Sequence, residues 1–168
     1  MKKQKLILIG SSTGGPGHLE KILSHLKPDF SSTIIISQHI DSVFLPSMVK
    51  HLNDISNFDV IQAQENQEIK RGSIIFTYKN ITNLHIDHNR GLHLQKCTQT
   101  SHYSPSVDLL FLSAAKLHGH IDILACLLTG IGDDGATGML ALKKIGAHCI
   151  SESEESSIVY GMPKAALQ

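Results

Sequence analysis

Three short and nearly uninterrupted apolar runs constrain this chain more than any other feature: residues 6–9 (Leu-Ile-Leu-Ile), 33–37 (Thr-Ile-Ile-Ile-Ser) and 121–128 (Ile-Asp-Ile-Leu-Ala-Cys-Leu-Leu). A strand with one wet face alternates apolar and polar residues, whereas a strand apolar at successive positions needs cover on both faces. Each run is followed by turn residues and then by apolar residues at helical spacing. After the first come Gly10, Gly14, Gly15 and Gly17, then Leu19, Ile22, Leu23 and Leu26 until Pro28 stops the pattern. After the second come Gln38-His39, then Phe44, Met48, Val49 and Leu52 as one helical face. After the third comes Thr-Gly-Ile-Gly-Asp-Asp-Gly, then a helix through Met139, Leu140 and Leu142 with Gly146 just past its end.

Shorter strands are expected at 59–63, 73–77 and 148–151, and Met162-Pro163 opens a final helix. Residues 84–86 and 92–94 flank Asp-His-Asn-Arg-Gly and predict an antiparallel hairpin. Ser104-Pro105 predicts a helix start, with serine as the cap, proline in the first turn, and Val107, Leu110, Phe111 and Ala114 buried. Covered strands alternating with amphipathic helices predict an α/β fold: a doubly wound, mostly parallel sheet with helices on both faces and an antiparallel hairpin. No repeat or linker interrupts it, so residues 1–168 are expected to form a single domain.

Composition narrows the function classes. Lys+Arg and Asp+Glu are both 15, so no net field holds the chain to nucleic acid or to an anionic membrane. No apolar run approaches the roughly 20 residues of a membrane span. Met1-Lys2-Lys3-Gln4-Lys5 is followed by too short an apolar stretch for a targeting signal, and reads as the lead into a first strand. Three cysteines (Cys97, Cys126, Cys149) without a C-x-x-C pair suit a reducing compartment, so a cytoplasmic protein is expected. His118-Gly119-His120 lacks a second ligand cluster, so neither a metal nor another cofactor is expected. A monomer is the default state.

In a doubly wound sheet, ligands sit beyond the carboxyl ends of the strands. Three polar residues follow three predicted strand ends: Ser12, His39 and an aspartate, either Asp133 or Asp134. A serine nucleophile needs such a set, with a base to take its proton and a carboxylate to orient that base. Residues 10–14 fit G-x-S-x-G with Ser12 at the centre of a strand-to-helix turn. Amides at the helix start, beginning with Thr13, are placed to bind a developing oxyanion. A phosphate-binding loop is the competing reading, weakened because there is no G-K-[ST] and the glycine spacing fails G-x-G-x-x-G. On chemistry alone the two aspartates are equivalent. The order Ser, His, Asp also differs from the Ser, Asp/Glu, His order of ordinary α/β-hydrolases.

Five segments resemble one family, in its order. These are residues 9–16 around Ser12, 37–39 with Phe44 and Ser47 following, 105–111 (Pro-Ser-Val-Asp-Leu-Leu-Phe), 128–138 around the aspartates, and 156–163 (Ser-Ser-Ile-Val-Tyr-Gly-Met-Pro). The chain resembles the catalytic domain of the chemotaxis protein-glutamate methylesterases. The resemblance implies Ser12 as nucleophile, His39 as base and Asp134 as its orienting carboxylate. It further implies that Thr13, Gly14 and Gly15 on one loop, with Ile131 and Gly132 on the other, bind the oxyanion and substrate. The implied substrates are glutamyl methyl esters, and in many members glutamines, on cytoplasmic helices of methyl-accepting chemotaxis receptors. The chain is expected to lack the family's receiver domain, since its first strand begins at Leu6, and it differs from the family pattern in three places: Ile131 stands for the usual methionine, Ser104 for an arginine, and an Ala-Pro with a nearby histidine is missing around Lys79. Its C-terminus is also expected to be short of the family's last helix.

Overall fold

A computed structural model describes residues 4–87, 91–117 and 119–168. Six strands form one sheet: β1 (Gln4–Ser11), β2 (Thr33–Gln38), β3 (Val60–Gln62), β5 (Ile74–Phe76), β8 (Ile121–Leu127) and β9 (His148–Ser151). Their order is β3-β5-β2-β1-β8-β9, and every neighbouring pair is parallel. Three further strands, β4 (Gln67–Glu68), β6 (Ile81–Asp87) and β7 (Gly91–Lys96), make a separate antiparallel sheet in the order β4-β7-β6. The expected hairpin is thus β6–β7, paired with His85 opposite His93. Its turn residues 88–90, like His118, lie outside the described residues. The two-residue β4 carries no apolar pattern, and the sequence reading missed it.

The apolar runs are divided between two cores, residue by residue. Ile34 and Ile36 of β2, with Ile74 and Phe76 of β5, pack on helices α1 (Gly15–Ser24) and α2 (Leu45–Ile55) through Leu19, Leu23, Leu45 and Leu52. Ile35 and Ile75, between them in sequence, face the other way. They join Leu6, Leu8 and a layer built from α3 (Val107–Ala115), α4 (Ala136–Lys144) and the small antiparallel sheet. Period-two geometry turns a continuous apolar run into two buried faces. The doubly wound reading therefore holds. Phe111 is fully buried in the second core, and its truncation to alanine would cost about 3–5 kcal/mol.

Local expectations were met unevenly. Phe44 does not join the α2 face: it precedes the helix and stands 64% exposed, while Leu45 takes the buried position. Ile22 and Leu140 also point outward, because only one stripe of a surface helix, about three to four residues per two turns, faces the core. The predicted cap at Ser104 shifts by two residues. Ser106 is the N-cap of α3, its Oγ accepting from Leu109 N at 3.3 Å, and Ser104-Pro105 is a cis peptide before it. Gly146 lies past α4 with φ 83°, as a helix-ending glycine should. A short helix α5 (Met162–Ala165) follows β9. Among the described residues no helix is long and apolar enough to cross a membrane.

Candidate active site

β1 lies at the centre of the sheet, with β2 on one side and β8 on the other, so the chain runs outward from it in both directions. That is the switch point at which a crevice opens beyond the strand ends. Ser12, His39 and Asp134 follow these three strands. Ser11 pairs with Gln38 in the last register of β1–β2, and His39 N donates to Ser11 O at 2.9 Å. Ser12 and His39 are therefore the next residues on strands that run about 4.8 Å apart. On the other side Ser12 N donates to Thr129 O at 2.9 Å.

Asp134 is 1% exposed and fully engaged. Its Oδ2 accepts from His39 Nε2 and from Val107 N, both at 2.7 Å. Its Oδ1 accepts from Asp108 N at 2.8 Å and Ser106 Oγ at 3.1 Å. The carboxylate thus caps helix α3, where free amides and the helix dipole favour negative charge. Burial pushes its carboxyl up, but the hydrogen bond from His39 and the amides of Asp108 and Val107 outweigh that and hold it below the usual carboxylate range. A carboxylate ionised in this way fixes Nε2 of His39 as the protonated nitrogen and leaves Nδ1 to accept a proton.

Asp133, its equal on chemistry alone, is exposed and sits elsewhere: Tyr103 Oη donates to its Oδ1 at 3.4 Å. The Tyr103 ring lies flat on His39, with centroids 4.8 Å apart and planes 5° from parallel. Partial burial, and then the charge of Asp133, push the Tyr103 phenol up, so it stays a donor. Gly132 makes room for this ring: its φ is 90°, and a Cβ there would lie 2.6 Å from Tyr103 Oη.

The Ser12 loop is braced from three sides. Gln38, buried, donates through Nε2 to Ser12 O and His39 O, both at 2.9 Å, while its Oε1 accepts from Ser11 Oγ at 2.6 Å. Its Oε1 fills the space where a Cβ of Gly15 would stand. Thr129 Oγ1 donates to Thr13 O at 2.9 Å, and His18 Nδ1 lies 3.0 Å from Gly14 O. Glu152 anchors both: it accepts from Thr129 N at 2.7 Å and faces His18 Nε2 at 3.3 Å. With the carbonyls of residues 12–14 held back, the loop enters α1 through Gly14, whose φ of 85° makes it a left-handed N-cap. Thr13 is exposed at this helix start. Ile131, 63% exposed, rims the opposite loop beside Gly132.

The structure brings Ser12, His39 and Asp134 to one strand-end cluster, with Thr13, Gly14, Gly15, Ile131 and Gly132 on the two loops that flank it. Sequence reasoning missed Tyr103, Thr129, His18 and Glu152. Glu152 follows β9 and obeys the same strand-end rule, so that signal was present. Tyr103, in an irregular stretch before a proline, offered none. Lys79 and Ser104 line one open hollow of about 460 Å³ with Ile40, Asp41, Ser42 and Asn80, next to His39. Among the described residues no three His, Cys, Asp or Glu side chains converge as a metal site.

Fold and site together define a doubly wound α/β domain with a Ser-His-Asp cluster at its switch point. Residues 7–168 match the model of the CheB methylesterase family, and the chain belongs to that family. It is 37% identical over 170 residues to protein-glutamate methylesterase/protein-glutamine glutaminase 2 of Carboxydothermus hydrogenoformans, covering 98% of this chain and 48% of that protein. It is equally 37% identical over 167 residues to the protein-glutamate methylesterase/protein-glutamine glutaminase of Shewanella frigidimarina, covering 98% and 42%. The chain thus spans about half the length of the curated relatives it matches. The crystal structure of the Thermotoga maritima CheB methylesterase catalytic domain aligns with a TM-score of 0.88 at 30% identity, over 99% of this chain and 88% of that one.

Proposed function

We propose that this domain hydrolyses glutamyl methyl esters on the cytoplasmic helices of methyl-accepting chemotaxis receptors. The observation that carries the reading is the His39–Asp134 hydrogen bond of 2.7 Å beside the register position of Ser12. Ser12 Oγ gives its proton to His39 Nδ1 and bonds to the ester carbonyl carbon. The oxyanion is met by amides of the α1 start at Thr13 and Gly14, with Gly15 allowing close approach and Ile131 and Gly132 shaping the far wall. Collapse breaks the carbon–oxygen bond to the methoxy group, which leaves as methanol with the proton from His39. Water, deprotonated by the same nitrogen, then attacks the acyl carbon; the bond to Ser12 Oγ breaks, His39 returns the proton to that oxygen, and the glutamate leaves as its carboxylate. Asp134 remains ionised throughout and stabilises the imidazolium. The scheme draws on no metal or cofactor.

The printed names of the relatives pair methylesterase with glutaminase. One acyl-serine route serves both, since ammonia can leave where methanol does, so deamidation of receptor glutamines is included in the proposal. The place of action is the cytoplasm, where those receptor helices lie, and the working unit is a monomer.

The test is methanol release from membranes holding radiolabelled, methylated receptors, with the wild-type chain and with Ser12→Ala. Release that vanishes in the variant supports the reading. A folded wild type that releases nothing, yet reacts with an active-site phosphonate at Ser12, would make it a hydrolase of other esters. A folded wild type inert to both would leave a receptor-binding adaptor.

A further inference from the structure

We propose that Tyr103 is a positioning residue that fixes the plane of the His39 imidazole, with Asp133 holding Tyr103 in place. This inference deepens the hydrolase reading and rests on it. Asp134 grips His39 at one ring atom, Nε2. A single hydrogen bond sets the distance and the tautomer of an imidazole but leaves rotation about that contact soft. Rotation displaces Nδ1, the nitrogen that takes the Ser12 proton in the proposed reaction. The parallel face of Tyr103, 4.8 Å between centroids and 5° between planes, removes that freedom, because tilting the imidazole would drive it into the phenol ring.

Three observations indicate that the ring is held where it is. Its hydroxyl reaches Asp133 at 3.4 Å, on the residue adjacent to Asp134, so both sides of the imidazole are referred to one short loop. The backbone under the hydroxyl is Gly132, where any side chain would collide with Oη at 2.6 Å. The segment also enters α3 immediately afterwards, where Ser106, Val107 and Asp108 bind Asp134. The ring above His39 and the carboxylate beside it are thereby delivered by the same stretch of chain. Tyr103 touches the base and needs no contact with the substrate.

This assignment separates a face from a hydroxyl. Tyr103→Phe keeps the stacking surface, and Tyr103→Leu keeps bulk but loses the flat face. The primary readout is the rate at which an active-site phosphonate labels Ser12, which depends on serine and base but not on receptor recognition. Labelling should fall on the order of 10- to 100-fold in Tyr103→Leu and stay within about threefold in Tyr103→Phe, with Asp133→Asn, which keeps an acceptor for Oη, no slower than Tyr103→Phe. On a small ester the loss should appear in kcat, with KM within about twofold. Thermal unfolding of each variant shows that the fold is intact, and Tyr103→Phe serves where the leucine variant is not. Equal labelling of wild type and Tyr103→Leu, or a Tyr103→Phe as slow as the leucine variant, overturns the proposal. A loss confined to KM overturns it too, since Tyr103 would then hold substrate. A wild type whose Ser12 does not label at all removes the triad reading, and this one with it.

Discussion

The two ends of the central sheet make an instructive contrast. At the amino ends of β1, β8 and β9 there is an open concavity of about 700 Å³, walled by Leu6, Ile7, Ile121, Ile123 and Ile145 and edged by Lys5, Asp122 and His148. At the carboxyl ends a smaller hollow of about 460 Å³ lies next to His39. The proposed site there holds a dense polar network, in which Asp134 takes four donors and Gln38 makes three hydrogen bonds. The larger hollow is the chemically poorer one. In a parallel sheet the strands all point their carboxyl ends the same way, and the helices that follow begin there, so amides and helix dipoles gather at one edge. Volume marks where packing stops, whereas convergence of partners marks where chemistry is built.

The contrast can be broken most sharply at Ser12. Ser12→Ala should lower ester turnover by on the order of 10⁴- to 10⁶-fold while leaving the unfolding temperature near that of the wild type, as paired kinetics and calorimetry would read. Asp134→Asn should follow, costing on the order of 10⁴-fold in kcat through the wrong histidine tautomer, against less than about tenfold for Asp133→Asn. If Asp133→Asn were the more damaging, the carboxylate would be misassigned. Asp134 also carries a pH signature. A carboxyl held low in the folded state contributes stability that is present above its unfolded value, about 3.9, and lost as pH falls through the folded value. Acid unfolding curves of the wild type should therefore show a dependence in that window that Asp134→Asn lacks.

A smaller effect tests the bracing. Gly15→Ala should cost about 1–3 kcal/mol in urea unfolding, because the new methyl meets Gln38 Oε1. An unchanged midpoint would mean that Gln38 moves freely and braces nothing. The smallest effects belong to the amino-terminal end, where His148→Ala and Asp122→Asn, both exposed, should stay within about 0.5 kcal/mol in stability and twofold in turnover. A large loss of activity there would mean that the poorer hollow takes part after all.

The sequence carried the parallel sheet because residues 34–36 are apolar at every position, and only a strand covered twice can be so. It also carried the strand-end positions of Ser12 and His39, since both follow such runs directly. It could not separate Asp133 from Asp134 on chemistry, because adjacent residues in a turn diverge through backbone angles that composition does not encode. The family resemblance chose Asp134, and that residue is the one that touches His39. Tyr103 was invisible for a different reason: an aromatic residue in an irregular segment has no periodicity, and its partner lies 64 residues away in the chain. Phe44 misled because helical spacing fits it as well as Leu45, and only the entry angle of α2 decides between them.

Helix α3 carries a last consequence. Its first amides hold Asp134, while Val107, Leu110 and Phe111 on the same few turns are fully buried in the core. The position of the carboxylate thus depends on the same helix that closes the core. One helix therefore serves the core with its side chains and the carboxylate with its first amides, so a substitution that loosens its packing reaches His39 through Asp134 without touching either residue.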